Sequence, residues 1–87
     1  MAQVFRLSGD IARTATEYGE VLLDERRGRY FRLSRTAAVI VGLLEDGGDV
    51  PGTARELHER YGIAEDRARA DIAGLLARLR DLGLVAS

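Results

Sequence analysis

The sequence predicts an α+β domain in which a three-stranded antiparallel β-sheet packs on three helices. Short segments with β-type alternation occupy the first part of the chain and end at Leu33. Apolar residues then recur with helical spacing through the rest of the chain, and glycines separate the helical stretches. A short turn between the second and third helices is typical of a helix-turn-helix, so we expect a winged-helix-like arrangement.

The predicted strands cover residues 4–7, 20–24 and 29–33. A polar turn that contains glycine separates the last two strands and predicts a hairpin, whereas residues 11–19 are expected to form a loop. In the third strand Phe31 and Leu33 share one face and are expected to point to the core, because side chains alternate along a strand.

The predicted helices cover residues 35–46, 53–61 and 65–82. Ser34 lies at the N-cap position of the first helix, where a hydroxyl accepts an unpaired backbone N–H. Gly47, Gly62 and Gly83 follow the three helices as stop signals. The apolar pair at 84–85 is expected to fold back as a last strand or tail.

The composition indicates one soluble domain, residues 1–87. The chain is 46% hydrophobic and 31% charged, and a chain of this size can bury one small core. Its net charge of −1 does not favour nucleic acid. The start of the chain lacks a signal-peptide pattern, and the longest apolar stretch, residues 37–44, is too short to cross a membrane. We therefore expect a cytoplasmic protein with no membrane partner.

The sequence offers few groups for catalysis. It contains no cysteine, which excludes disulfides, thiolate nucleophiles and cysteine-ligated zinc. His58 is its one histidine, and a structural role is favoured for it over catalysis or metal binding. The glycines at 47, 48 and 52 lack the spacing and the lysine of phosphate-binding loops. We expect no enzymatic activity, no cofactor and no metal site.

The junction of the hairpin with the first helix predicts a cleft. A strand that ends by starting a helix has its backbone edge beside a helical surface, and such a cleft can accept another extended peptide. Ala70, Gly74 and Ala77 leave one side of the third helix low in profile, which suits the floor of a groove. Gly74 inside a helix costs about 1 kcal/mol relative to alanine, so close packing of another backbone is one explanation for it. Packing within the domain is the other.

A DNA-binding function is the main alternative. Arginines on the third helix, the recognition helix of a helix-turn-helix, are placed to meet a major groove. They are Arg67, Arg69, Arg78 and Arg80. Acidic residues on the same helix would repel phosphates. A winged-helix transcriptional regulator and a purely structural subunit of an enzyme therefore remain as alternatives.

The run GEVLLDERRGRYFRLSRTAAVIVGLL and the ending LARLRDLGLV resemble the PqqD-like family of peptide-recognition domains. The hairpin pattern D-x-R-x-G-R-Y-F-x-L-S is similar to that of the stand-alone PqqD-family chaperones of lasso-peptide biosynthesis. The resemblance covers nearly the whole chain. Ser34 and Arg35 stand where the family often has asparagine and proline, which affects helix capping more than function.

The resemblance implies a recognition element for ribosomally synthesised peptides. Such domains bind the leader region of a precursor peptide and deliver it to modifying enzymes. In lasso systems the recipient is a separate leader peptidase, after which a cyclase closes the ring. The implied binding mode is addition of the leader as a strand to the third β-strand, with leader side chains between that strand and the third helix.

The candidate leader-binding residues follow from that mode. They are Arg29, Tyr30, Phe31, Arg32 and Leu33 on the strand, and Arg67, Ala70, Asp71, Gly74 and Arg78 on the helix. The strand backbone is expected to supply affinity, and arginines of the helix to pair with leader carboxylates, with Asp71 positioning Arg67. An exposed strand edge also permits a strand-mediated homodimer, so we expect a monomer or such a dimer.

Overall fold

The computed structural model describes residues 5–86 of the chain and has the expected α+β architecture. Three strands precede three helices. The strands are β1 (Ile11–Thr16), β2 (Gly19–Asp24) and β3 (Arg29–Ser34), and the helices are α1 (Arg35–Glu45), α2 (Val50–Tyr61) and α3 (Glu65–Asp81).

The sheet is antiparallel in the order β1-β2-β3, so β2 is central and β3 is an edge strand. A two-residue turn joins β1 to β2 and sets Thr16 opposite Gly19. The hairpin of β2 and β3 begins its pairing at Asp24 opposite Arg29 and ends at Gly19 opposite Ser34. One long edge of the sheet therefore runs directly into α1.

The first strand differs from the prediction. Residues 11–16, which were expected to be a loop, form β1, whereas the strand expected at 4–7 does not form in its described part. Leu7 instead makes a single antiparallel bridge with Val85, so the predicted tail does fold back on the domain; Val4 lies outside the described residues. The signal for β1 is weak because Arg13 lies on the inward face, where apolar residues normally mark a strand.

Ionic contacts replace apolar packing at that position. The Arg13 guanidinium bonds the Glu20 carboxylate at 2.7 Å and also pairs with Glu45 of α1. The hydrogen bond with Glu20, opposed by partial burial, raises the pKa of Arg13 above its ordinary value, so the group stays charged. β1 is thus attached to both β2 and α1 by charge.

The helix boundaries agree closely with the sequence except at α2. The Ser34 hydroxyl accepts the Ala37 N–H at 3.1 Å, which confirms the expected cap of α1. α2 begins at Val50 rather than at 53, because the Asp49 carboxylate caps it by accepting the Gly52 N–H at 2.7 Å. Pro51 lies in the first turn, where a missing N–H costs nothing. α1 and α3 each end one residue before the predicted position.

Two adjoining groups of buried residues form the core. One joins the sheet to α1, α3 and the tail through Leu7, Leu22, Leu33, Val41, Leu79 and Leu84. The other joins the three helices through Ile40, Leu44, Ala54, Leu57, Ala68 and Ile72. As expected, Leu33 is buried and Phe31 is packed against the first group, so both point inward from β3.

Gly19 is required at the start of β2. Its φ of +148° is rarely adopted by residues with side chains, and the Leu33 carbonyl oxygen lies where its Cβ would be. We expect Gly19→Ala to lower the free energy of unfolding by at least about 2 kcal/mol, measured by chemical denaturation. Gly9→Ala, which meets nothing within 4 Å, should stay within about 0.5 kcal/mol of the wild type. Equal stability of the two variants would contradict the assignment.

Candidate functional site

The outer edge of β3 has unpaired backbone groups that can be assigned to particular residues. The Glu25 N–H donates to the Asp10 carbonyl at 3.3 Å, which fixes the phase of the β1–β2 hydrogen bonds. By alternation, Leu22 and Glu20 face β3 and pair with Phe31 and Leu33. The N–H and C=O groups of Tyr30 and Arg32 therefore point away from the sheet.

The free edge of β3 faces α3 across a gap. No Cα of β3 lies within 8 Å of a Cα of α3, although both elements are described in full. Side chains bridge the gap instead: the Arg78 guanidinium of α3 lies over the Phe31 ring, 5.0 Å from its centroid. We call this gap the β3–α3 cleft.

The cleft has two openings on either side of the Arg78–Phe31 contact. The first, which we call the α1–α3 groove, lies between the start of α1 and the middle of α3. Its lining consists of Ser34, Thr36, Ala37, Ile40, Ala70, Asp71, Gly74, Leu75 and Arg78. Small side chains keep this groove wide, since a Cβ at Gly74 would meet nothing within 4 Å.

The second opening, which we call the hairpin pocket, lies at the tip of the β2–β3 hairpin. It is narrower and mainly apolar, and its walls come from both hairpin strands and from the segment after α3. They are Leu22, Asp24, Arg29, Tyr30, Phe31, Leu82 and Leu84. A single apolar side chain suits a pocket of this composition.

The structure brings together most of the residues predicted from the sequence. Ala70, Asp71, Gly74 and Arg78 all line the α1–α3 groove. Gly74 is exposed toward this groove and not packed inside the domain, which decides between the two explanations of its place in the helix. Phe31 lies at the centre of the cleft.

Three predicted residues are placed differently. Arg67 lies one helical turn before the groove and does not line it, and no hydrogen bond or ion pair joins it to Asp71 in the described part of the chain. The Arg29 guanidinium bonds Asp24 and the Leu82 carbonyl, and its backbone faces β2. Leu33 is buried in the core.

Sequence reasoning missed the wall that α1 contributes. Thr36, Ala37 and Ile40 line the groove, but their helical spacing assigned them to the core-facing stripe. The available signal was the position of Thr36 and Ala37 in the first turn, directly after the strand. An apolar face that begins before the neighbouring helix covers it remains partly open.

Other chemistry is limited. Among residues 5–86 no group of three or more His, Cys, Asp or Glu side chains is arranged to hold a metal ion. The Nδ1 of His58 lies 2.9 Å from the Ile63 carbonyl oxygen, where it donates across the turn between α2 and α3. None of the described helices is long and apolar enough to cross a membrane.

Comparison with known families identifies this architecture. The profile of the family described as coenzyme PQQ synthesis protein D (PqqD) matches residues 19–85, which span β2 through the end of the fold. The chain belongs to the PqqD family. The expectation from the hairpin and the C-terminal ending is thereby confirmed, while a comparison with curated proteins gives no match.

Two solved structures are similar to this member of the PqqD family. One is described as lasso peptide synthetase B1 complexed with the leader peptide; it is 39% identical, with a TM-score of 0.91 over 98% of this chain and 100% of that chain. The other is described as TbiB1 in complex with the TbiA(beta) leader peptide, with 22% identity and a TM-score of 0.83 over 94% of this chain and 95% of that one. The second similarity shows the shared fold.

The assignment of the free edge predicts a contrast between two proline variants. Arg32→Pro removes an N–H that faces away from the sheet, so we expect the protein to stay folded. Phe31→Pro removes an N–H that bonds β2 and should cost about 3 kcal/mol or more. Circular dichroism with thermal unfolding measures both. Unfolding of Arg32→Pro with a stable Phe31→Pro would reverse the assignment.

Proposed function

We propose that this protein binds the leader region of a ribosomally synthesised lasso precursor peptide and presents it to a separate leader peptidase. The leader adds as a strand to the free edge of β3. The observation that carries the proposal is the combination of an unpaired edge and a facing helix that stands clear of it. The similar structure at 39% identity, described as complexed with a leader peptide, supports the same function.

Strand addition uses the backbone of Tyr30 and Arg32. Each residue offers one N–H and one C=O to an incoming strand. Each hydrogen bond contributes about 1 kcal/mol net, so the backbone provides affinity that does not depend on the leader sequence. Specificity must then come from leader side chains.

The two openings of the cleft suit alternate leader side chains. Residues directly opposite each other on paired strands project to the same face. Leader residues opposite Arg29, Phe31 and Leu33 therefore point into the cleft, and those opposite Tyr30 and Arg32 point outward. Inward side chains are about 7 Å apart, which suits one in the hairpin pocket and another toward the α1–α3 groove.

The charges at the cleft suit a leader with an acidic residue near its centre. Arg78 lies over Phe31 and has no carboxylate partner in the described structure. A leader carboxylate in the cleft would meet this guanidinium in a partly desolvated place, where charged hydrogen bonds are strongest. Asp71 on the groove wall disfavours a second leader carboxylate there.

Presentation to a peptidase requires only binding, so the protein acts without catalysis of its own. A cyclase of the same pathway is a further possible recipient. The DNA-binding alternative has no feature of the cleft in its favour, because acidic residues accompany the arginines of α3. It predicts a retarded DNA duplex whose affinity falls steeply with salt, whereas strand addition to the leader depends weakly on salt.

The α1–α3 groove gives the sharpest test of leader binding. Gly74→Leu places a branched side chain into the groove, and we expect leader affinity to fall about tenfold, roughly 1.4 kcal/mol. The measurement is calorimetric titration of the leader of the precursor encoded beside this chain.

Two controls separate the groove from the helix. Gly74→Ala raises helix propensity with little added volume, and Ala73→Leu places the same side chain on α3 outside the groove lining. Both should bind the leader nearly as the wild type does. A well-folded Gly74→Leu variant with unchanged affinity would place the leader elsewhere.

Reconstitution tests the presentation step. The purified protein alone should leave the lasso precursor intact, and addition of the matching peptidase should give leader removal at a rate that rises with the concentration of this protein. A peptidase that works equally fast without the protein would contradict presentation. Cleavage by the protein alone would contradict its non-catalytic role.

A further inference from the structure

The tip of the β2–β3 hairpin contains a buried carboxylate. Asp24 is 5% exposed. Its Oδ1 accepts the Arg27 backbone N–H at 3.2 Å, and its Oδ2 lies 3.4 Å from the Arg29 guanidinium and 4.0 Å from that of Arg27. A buried charge needs such partners, because an uncompensated one is strongly destabilising.

The same two guanidinium groups continue to α3. Arg29 donates to the Leu82 carbonyl at 2.8 Å, and Arg27 donates to it at 3.2 Å. Leu82 is the C-cap of α3, where the helix dipole favours cations. The Gly83 and Leu84 N–H groups bond the carbonyls of Arg80 and Leu79 and leave the Leu82 carbonyl for the arginines.

Close packing accompanies these bonds. A Cβ on Gly83 would lie 2.7 Å from the Arg27 Nη1, so the guanidinium passes directly over this glycine. Gly83 also has a φ of +71°, as expected after a helix end. The end of α3 is therefore shaped to hold Arg27 close to the backbone.

We propose that Asp24, Arg27, Arg29 and the Leu82 carbonyl form a hairpin clamp that fixes the width of the β3–α3 cleft. The clamp joins the first residue of β3 to the end of α3, and β3 and α3 have no close backbone contact that could set this width. A strand added to β3 needs about 5 Å beside it, so a displaced α3 would mismatch its inward side chains.

Arg29 accordingly has a different role from the one expected from the sequence. It is a positioning residue, and so are Asp24 and Arg27, because they act on a bound strand through the placement of α3. This part of the inference rests on the proposed leader binding. The effect on cleft width does not.

Spin labels test the width directly in the peptide-free protein. The chain has no cysteine, so labels attach only at introduced ones, Tyr30→Cys on β3 and Ala77→Cys on α3. The clamp is removed by Asp24→Asn, Arg27→Gln and Arg29→Gln together, which leaves no unpaired buried charge. Dipolar EPR should then give a broader distance distribution with a longer mean than in the intact clamp.

Arg13→Gln is the matched control. It removes an arginine that bonds two carboxylates on the opposite edge of the sheet, and it should lower stability while leaving the label distance unchanged. Restoring Arg29 to the clamp-free variant together with Asp24 should return the narrow distribution. An unchanged distribution in the clamp-free variant, or equal broadening by Arg13→Gln, would overturn the clamp.

Leader titration tests the consequence for binding. The unlabelled clamp-free variant should bind the leader about tenfold more weakly, whereas Arg13→Gln should bind it as the wild type does. A broadened cleft with unchanged affinity would overturn the positioning role. If the wild-type protein binds no leader, the proposed function fails, while the EPR comparison still decides the clamp.

Discussion

The side chain of Ser34 fixes the geometry on which the cleft depends. This residue is both the last of β3 and the N-cap of α1, and its hydroxyl bonds the Ala37 N–H. No loop residue separates strand from helix, so the direction in which α1 leaves the sheet is set by one cap worth about 1 kcal/mol. Because α3 packs on α1 and α2, its distance from β3 follows from this corner at one end and from the hairpin tip at the other.

The fold was predictable where the signals are local. The β2–β3 hairpin, the cap at Ser34 and the end of α3 are each encoded within a few neighbouring residues. β1 was missed because the partners that make Arg13 acceptable on an inward face are remote in sequence, with Glu45 32 residues away. The start of α2 was missed because Pro51 and Gly52 were interpreted as a loop, although Asp49 carries the cap.

The candidate site divides in the same way. Helical spacing was sufficient to group Ala70, Gly74 and Arg78 on one side of α3. The opposite wall on α1 was hidden, since Thr36 and Ala37 follow the same apolar spacing as the core. The role of Arg29 was not accessible, because its acceptor is a backbone carbonyl 53 residues later in the chain. In the sequence this part of the hairpin is only a charged turn.

Alternation along β3 separates two kinds of selection. Phe31 and Leu33 direct both their backbone groups and their side chains into the domain, so changes there are tested first by folding. Tyr30 and Arg32 direct their backbone groups to the free edge and their side chains to solvent. Any residue except proline keeps those backbone groups, so the two positions are free to diverge between lineages. A peptide and its binding domain can thus coevolve through the outward side chains while the fold stays under separate constraint.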